Sequence, residues 1–353
     1  VSDVAFQAAR PTFVLGGEER PELADELLSL LIGEDTAGLA RCEAQFGNWG
    51  AVGKRADFLY FDRRVLEFGA ALAVKIGRDT LFEGRISGLE GRFPQGRPPE
   101  IVALAEDRFQ DMRMTRRTRS FSDVSDADVF RTVAGDHGLT PDLALDGPRH
   151  KLLAQVNQSD LAFLRERARA IDAELWVEGR TLHAAAHTRR QTSPLRLSYG
   201  GELREFSVLA DLAEQWTSVT VSGWDVASKR EVRHEATEDA VRAELNGETS
   251  GASVLRTAFG QRKQALAHTV PLTAETARAE AESFFRLSAR RFLVGQGLAQ
   301  TSAGLRAGAS VELDGLGPLF SGRYYLTAVR HIFDGRQGIR TEFTAERPWI
   351  GRP

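Results

Sequence analysis

His183 and His187 lie four residues apart, a spacing that on a helix would aim two imidazoles at one metal ion. The surrounding run Thr181–Ala185 reads as a strand, where the phases differ from those of a helix, and no acidic third ligand stands beside the pair. His234-Glu235 lacks the second histidine of the HExxH zinc-protease motif. A glycosidase-like pair needs two carboxyls in one cleft with their pKa values pushed apart. The many Asp and Glu residues single out no such pair, and solvated surface is their default. Serines are common, but no G-x-S-x-G elbow occurs. Gly295-Gln296-Gly297 lacks the third glycine and the strand-to-helix setting of a dinucleotide site. Cys42 is the single cysteine, so no internal disulfide can form and the cysteine pattern offers no zinc site. On the alternating run Ala40-Cys42-Ala44-Phe46 it reads as a small buried hydrophobe. No catalytic, cofactor-binding or metal residue is assigned, and the expectation is a protein that is not an enzyme and needs no cofactor.

One basic run remains: Arg113, Arg116, Arg117 and Arg119. It reads first as a solvated edge or as ion pairs between subunits. A positive channel lining, or contact with an acidic partner, comes second. Nucleic-acid binding comes last, because Asp107, Asp111, Asp123, Asp126 and Asp128 offset the local field. The whole chain of 353 residues carries a net charge of −3 with many charges of both signs, which argues against a general polyanion binder. Its length implies two or three domains and a core that needs no staple. The N-terminal VSDVAFQAARPTF lacks a charged segment followed by an apolar one, so no secretory signal is expected. No apolar stretch approaches the roughly 20 residues that span a bilayer.

The elements that would position these residues are mostly strands. Residues 1–107 read as a first β-barrel module, with Leu72-Val74-Ile76 alternating against Ala73 and Lys75. Residues 108–200 read as an α/β domain. Ser125 and Asp128 form a capping-box pattern before one helix, and Ser159-Asp160 opens a second. Residues 201–225 and 303–348 read as a second β-barrel module, split by a helical insertion at 226–302 whose clearest helix is Thr273–Phe292. The fold class expected is α+β, mainly β, with two related antiparallel barrels. Tyr324-Tyr325 starts a strand, so one ring is expected inside and the other outside. Trp49, Trp216, Trp224 and Trp349 fall near strand ends and read as core before interface.

The two modules carry a repeat. Residues 69–85 read GAALAVKIGRDTLFEGR and residues 308–323 read GASVELDGLGPLFSGR. Gly69-Ala70 matches Gly308-Ala309, and Leu81-Phe82-x-Gly84-Arg85 matches Leu319-Phe320-x-Gly322-Arg323, with one residue lost at the turn. Two copies exclude a solenoid and point to a duplicated β-module.

The segment Gln155-Val156-Asn157-Gln158-Ser159-Asp160-Leu161-Ala162-Phe163-Leu164-Arg165 resembles the Q-x-N-x-S-D-x-x-F-L-x-R signature of phage late control protein D. That family includes the baseplate hub of contractile tails and the hub half of the type VI secretion spike protein. Phe320–His331, Val221–Asp225 and Arg116–Phe121 followed by Asp123-Val124 are similar to further stretches of it. The resemblance spans about residues 58 to 347. It implies a homotrimeric hub with pseudo-sixfold ring symmetry, made from two related barrels in each subunit. Such a ring would adapt a hexameric inner tube to a trimeric spike. The implied partners are its own copies, the inner tube protein, the trimeric spike protein and other baseplate proteins, with no direct membrane contact. The implied location is the cytoplasm during assembly, then a phage tail or extracellular injection particle. The chain stops at Pro353, so a needle or tail lysozyme is expected on another polypeptide. Two alternatives stand beside the hub. One is a tail-associated cell-wall hydrolase, and the other is a nucleic-acid-binding module using Arg113–Arg119.

Overall fold

The computed structural model describes residues 10–190, 194–225, 228–266 and 273–352, so the N-terminal reading over residues 1–9 lies outside it. The chain is mainly β and its large sheets are antiparallel, as the alternation predicts. Leu27–Asp35, Arg41–Gly47, Glu100–Glu106, Asp79–Arg92, Ala71–Ile76 and Thr12–Leu15 pair in that order, each antiparallel to the next. Cys42, Ala44 and Phe46 point to one face and are buried there with Leu30, Ile32, Phe82 and Ile101. In the second module the order is Leu203–Ala210, Leu293–Ala299, Gly338–Arg347, Gly322–Asp334 and Ser310–Asp314. Leu195–Ser198 follows Ser310–Asp314 but runs parallel to it. That module has its own core around Leu203, Leu293, Val311, Tyr324, Leu326 and Phe343.

The duplication is written in the hydrogen bonds. The Gly69 amide donates to Ile86 O at 2.8 Å, and the Gly308 amide donates to Leu326 O at 2.8 Å. The return bonds, Ile86 N to Ala70 O and Leu326 N to Ala309 O, measure 3.0 and 2.9 Å. The ladder then slips by one residue between Ile86 and Gly88, and likewise between Leu326 and Ala328. At both bulges a hydroxyl bonds across: Ser87 Oγ to Leu104 O and Thr327 Oγ1 to Thr344 O, each 3.3 Å. A second slip recurs between Leu27 and Ser29 and between Leu203 and Glu205. Bulges fix register, so two shared bulges in one strand order mark equivalent positions. Gly69-Ala70 and Gly308-Ala309 are equivalent, as their sequence match predicts. The Leu-Phe-x-Gly-Arg match is not. Ile86 is equivalent to Leu326, so the second copy is one residue longer, and Leu319-Phe320 lies in a short helix, Gly317–Phe320, instead of a strand.

Neither module is a barrel closed by its own ladders among the described residues. The outer edge of Leu27–Asp35 is taken instead by Gly322–Asp334 of the other module, from Ala328 opposite Asp35 to Asp334 opposite Ser29. Among the described residues, one sheet of thirteen strands therefore runs through both modules. The bidentate pair of Arg306 and Glu34, at 2.7 and 2.9 Å, fastens the joint.

Two smaller units adjoin this sheet. Arg116–Ser125 pairs with Arg149–Ser159, and helices Asp126–Asp136 and Asp160–Ala170 pack with a three-stranded sheet around Phe109, Phe130, Phe163 and Leu164. The Ser125 capping box forms as its spacing predicts. The stretch read as a helical insertion is itself mixed. Ser218–Asp225, read as part of the second module, pairs with Arg230–Ala236 and Lys263–Leu266 under helix Ala274–Arg290. Leu293–Ala299, read as insertion, is a strand of the module sheet. Its glycines hid it, because a run with Gly295 and Gly297 has weak strand character on its own.

Candidate functional site

Each residue with possible chemistry has a structural partner. His183 stacks on Trp176 with centroids 5.0 Å apart, and its Nδ1 lies 2.8 Å from Asp142. His187 sits in a separate turn, 3.1 Å from Glu174 and against the Tyr325 ring, so the two imidazoles have different surroundings. His234 lies 3.7 Å from Glu282. Gly295 and Gly297 lie under the rings of Phe206 and Phe343, where a Cβ would come within 2.3 and 2.2 Å of ring carbons. Their missing side chains make room for aromatic packing. Cys42 is buried, which pushes its thiol pKa up and leaves it inert. Among the described residues no group of three or more His, Cys, Asp or Glu is arranged to hold a metal, and no helix is long and apolar enough to cross a membrane. A groove of about 1050 Å³ separates the α/β unit from the modules, and two of the arginines lining it are engaged, Arg190 with Glu174 and Arg306 with Glu34. Trp349 is buried and Trp216 packs on the insertion core, whereas Trp49 and Trp224 are exposed.

The arginine run and the Gln155–Arg165 segment turn out to be one construction. Asp160 is buried at the start of its helix and faces Arg119 at 2.9 Å, Arg117 at 3.2 Å and His137 at 2.8 Å. Gln155 donates to Asp160 Oδ1 at 2.9 Å and accepts from Arg119 Nε at 2.8 Å. Burial alone would raise the Asp160 pKa, but the bonds from His137 and Gln155 and the two arginines hold it below the ordinary value. Asn157 turns the chain with φ +49°, Ser159 caps the helix, and Arg165 reaches the carbonyls of Ala37 and Gly38 in the first module. Arg113 pairs with Glu106, and Arg116 donates to Asn157 O at 3.1 Å. These arginines join parts of one chain.

A second charged cluster lies where the α/β unit, the insertion and the second module meet. Arg290, almost fully buried, donates to Glu244 at 2.7 Å and also to both oxygens of Asp172. Tyr325 donates to Glu174, which also holds His187 and Arg190. Both tyrosines of the Tyr324-Tyr325 pair are therefore buried, contrary to the alternation, because this cluster covers the outer face of their strand. Glu346 shares the site, and burial raises its pKa to about 7 against an ordinary 4.5. The folded chain therefore holds a proton there that the unfolded chain releases, and stability falls as pH rises through that window. Glu346→Gln removes this loss. Its melting temperature should exceed the parent's at pH 8, by an amount equivalent to about 1–3 kcal/mol, and match it at pH 5. Thermal unfolding at the two pH values checks this.

What stands unengaged is strand edge. Residues 87–92 have a neighbour on one side only, and so do residues 205–210, among the described residues. Glu205, Ser207, Gln296, Leu298, Arg330 and Glu342 line one shallow concavity of the sheet. This arrangement offers two backbone ladders to a partner. Sequence reasoning found the repeat and missed these edges. Aligning Leu89–Phe93 with Val329–Phe333 would have revealed them.

The matching protein family is described as the Alg8 N-terminal domain, over residues 52–334. The chain belongs to the Alg8 N-terminal domain family. No curated protein matches it. Among solved structures, this Alg8 N-terminal domain family member is similar to the 43 kDa tail protein of prophage MuSo2 from Shewanella oneidensis. That similarity has 12% identity and a TM-score of 0.69, covering 96% of this chain and 98% of that one. A tail protein from Neisseria meningitidis MC58 gives 12% identity and a TM-score of 0.66, covering 96% and 97%. The E. coli c3393 protein, described as a component of the type VI secretion system, gives 13% and 0.56, covering 93% and 76%. At these identities the likeness shows the fold, which is that of phage tail proteins and of a type VI secretion component.

Proposed function

We propose that this chain is a structural baseplate hub of a contractile phage tail or contractile injection system, of the late control protein D kind, and that it has no enzymatic activity. It assembles as a homotrimer. Its six modules make a pseudo-sixfold ring that adapts a hexameric inner tube to a trimeric spike, with other baseplate proteins around it. The observation that carries this reading is the duplicated module, repeated to the level of its bulges and joined edge to edge within the chain. A head-to-tail contact that repeats closes into a ring when its rotation permits. Differences between the two modules restore threefold symmetry where a spike would sit. The tail and secretion proteins that share the fold support the setting. The particle component forms in the cytoplasm and makes no direct membrane contact.

The test is the mass and shape of the purified chain. Light scattering should give three times the chain mass at micromolar concentration, and electron-microscopy averages down the axis should show six near-equivalent lobes. A monomer that stays monomeric with tube and spike partners added would overturn the reading.

A further inference from the structure

The shared register assigns a counterpart to every residue of the joint between the modules. Phe333 lies opposite Leu30, belongs to the core of the first module and is 4% exposed. Five residues past the bulge partner in each copy, Ala328 and Gly88, comes a phenylalanine: Phe333 in one and Phe93 in the other. Phe93 is 67% exposed. It heads an aromatic patch with Phe61, Phe58 and Trp49, at centroid distances of 5.6 Å from Phe61 and 6.5 Å from Phe58, and Trp49 and Phe58 are also exposed. The same residue type is thus buried where a module follows and bare where none does. The other half of the joint is also duplicated: Leu30 corresponds to Phe206, and the edge of residues 205–210 stands open among the described residues, with Leu209 65% exposed.

We propose that residues 88–94 of one copy pair antiparallel with residues 205–211 of a second copy, in the register already used inside the chain, with Phe93 entering the neighbour's second-module core beside Phe206. The ring rests on the hub reading above; the choice of edges, register and anchor goes beyond it. Val329 opposite Glu34 and Ile332 opposite Leu31 become Leu89 opposite Ala210 and Arg92 opposite Ser207. A second copy is the occupant because its free edge reproduces the bulge, the spacing and the aromatic residue of the segment that fills the matching site within the chain. The intermolecular joint lacks one feature. The Arg306–Glu34 pair has Glu67 and Ala210 as its counterparts, and Glu67 is bonded to Arg63. The contact between copies therefore depends on the backbone ladder and on Phe93, so it can form and separate without unfolding either chain.

The experiment uses the full chain carrying Arg92→Cys with Ser207→Cys, mildly oxidised and read on a denaturing gel. Directly opposed residues fall within the roughly 7 Å Cα separation that a disulfide allows. Covalent dimers and trimers are expected. A control of Glu90→Cys with Glu205→Cys sets the cysteines four residues, about 13 Å, out of register and should give none. A ring seen by light scattering with no cross-link in the first pair would overturn this register and leave the hub reading standing. Equal cross-linking in both pairs would overturn it too. A chain that stays monomeric would overturn both. Independently, Phe93→Ala should keep the parent's melting temperature at monomer concentrations, since the ring is already in water, and raise the half-assembly concentration by about tenfold or more. Unchanged assembly would remove Phe93 as the anchor.

Discussion

Replacing Arg290 with methionine is expected to lower the unfolding free energy by about 3–5 kcal/mol, a drop of roughly 10 °C in melting temperature for a chain of this size. Arg290 sits between two carboxylates, Asp172 and Glu244, that are themselves shielded from water. Burial opposes its charge, but hydrogen bonds and attraction from Glu244 and Asp172 raise its pKa well above the ordinary value. Methionine fills much of the volume and leaves two buried negative charges facing each other. The same cluster holds the Glu244 carboxyl below its usual pKa against the pull of burial. In the variant that support is gone and the Glu244 carboxylate takes up a proton more readily. The deficit should therefore be largest at pH 8 and shrink as pH falls toward 5. Arg290→Lys keeps the charge but cannot fork to both partners, and it should fall between parent and methionine variant. Denaturant unfolding of the three proteins at pH 8 and pH 5 checks both size and sign. A methionine variant as stable as the parent at pH 8 would show that the junction does not depend on this arginine.

Asp160→Asn should destabilise the α/β unit by about 3–4 kcal/mol. The side chain keeps its shape, but it turns an amide toward donors. Arg117, Arg119, His137 and Gln155 all direct hydrogens at this one carboxylate. Because its pKa is held below the ordinary value, the carboxylate contributes stability above that ordinary value and loses it as pH falls through the depressed one. The loss in the variant should therefore be full at pH 7 and smaller near pH 3. Hydrogen exchange should report it first in helix Asp160–Ala170 and strand Arg116–Ser125. The variant also separates two roles for the arginines. Asp136 also holds Arg119 at 2.6 Å and Arg117 at 3.6 Å, so with Asp136→Asn added the two arginines should bind a polyanion such as heparin in a salt-dependent way, whereas the parent should not. Strong polyanion binding by the parent would mean that the ion pairs do not occupy them.

The two charged clusters differ in how much of them the sequence displayed. The Asp160 site was visible as a motif, because Gln155, Asn157, Ser159 and Asp160 are local and each has a local backbone task. Its partners Arg117 and Arg119 were visible only as a basic run, since the ladder that brings them across joins residues about 40 positions apart. The Arg290 site left no trace, because Asp172, Glu244 and Arg290 come from separate units and have no shared periodicity. The strand Leu293–Ala299 was hidden for a related reason. Its glycines weaken the local pattern, and the rings that fill the space belong to Phe206 and Phe343 on other strands.

The sequence by itself determined the mainly β character, the capped helices after Ser125 and Ser159, and the existence of a repeat. Each of these depends on alternation, capping or turn chemistry within a short stretch. Only the tertiary structure decided how the repeat is aligned, that neither module closes on itself, and which edges remain open. Those outcomes depend on which of several similar strands lies beside which. A strand's own residues specify its faces, but its neighbour is selected by packing and register across the whole sheet.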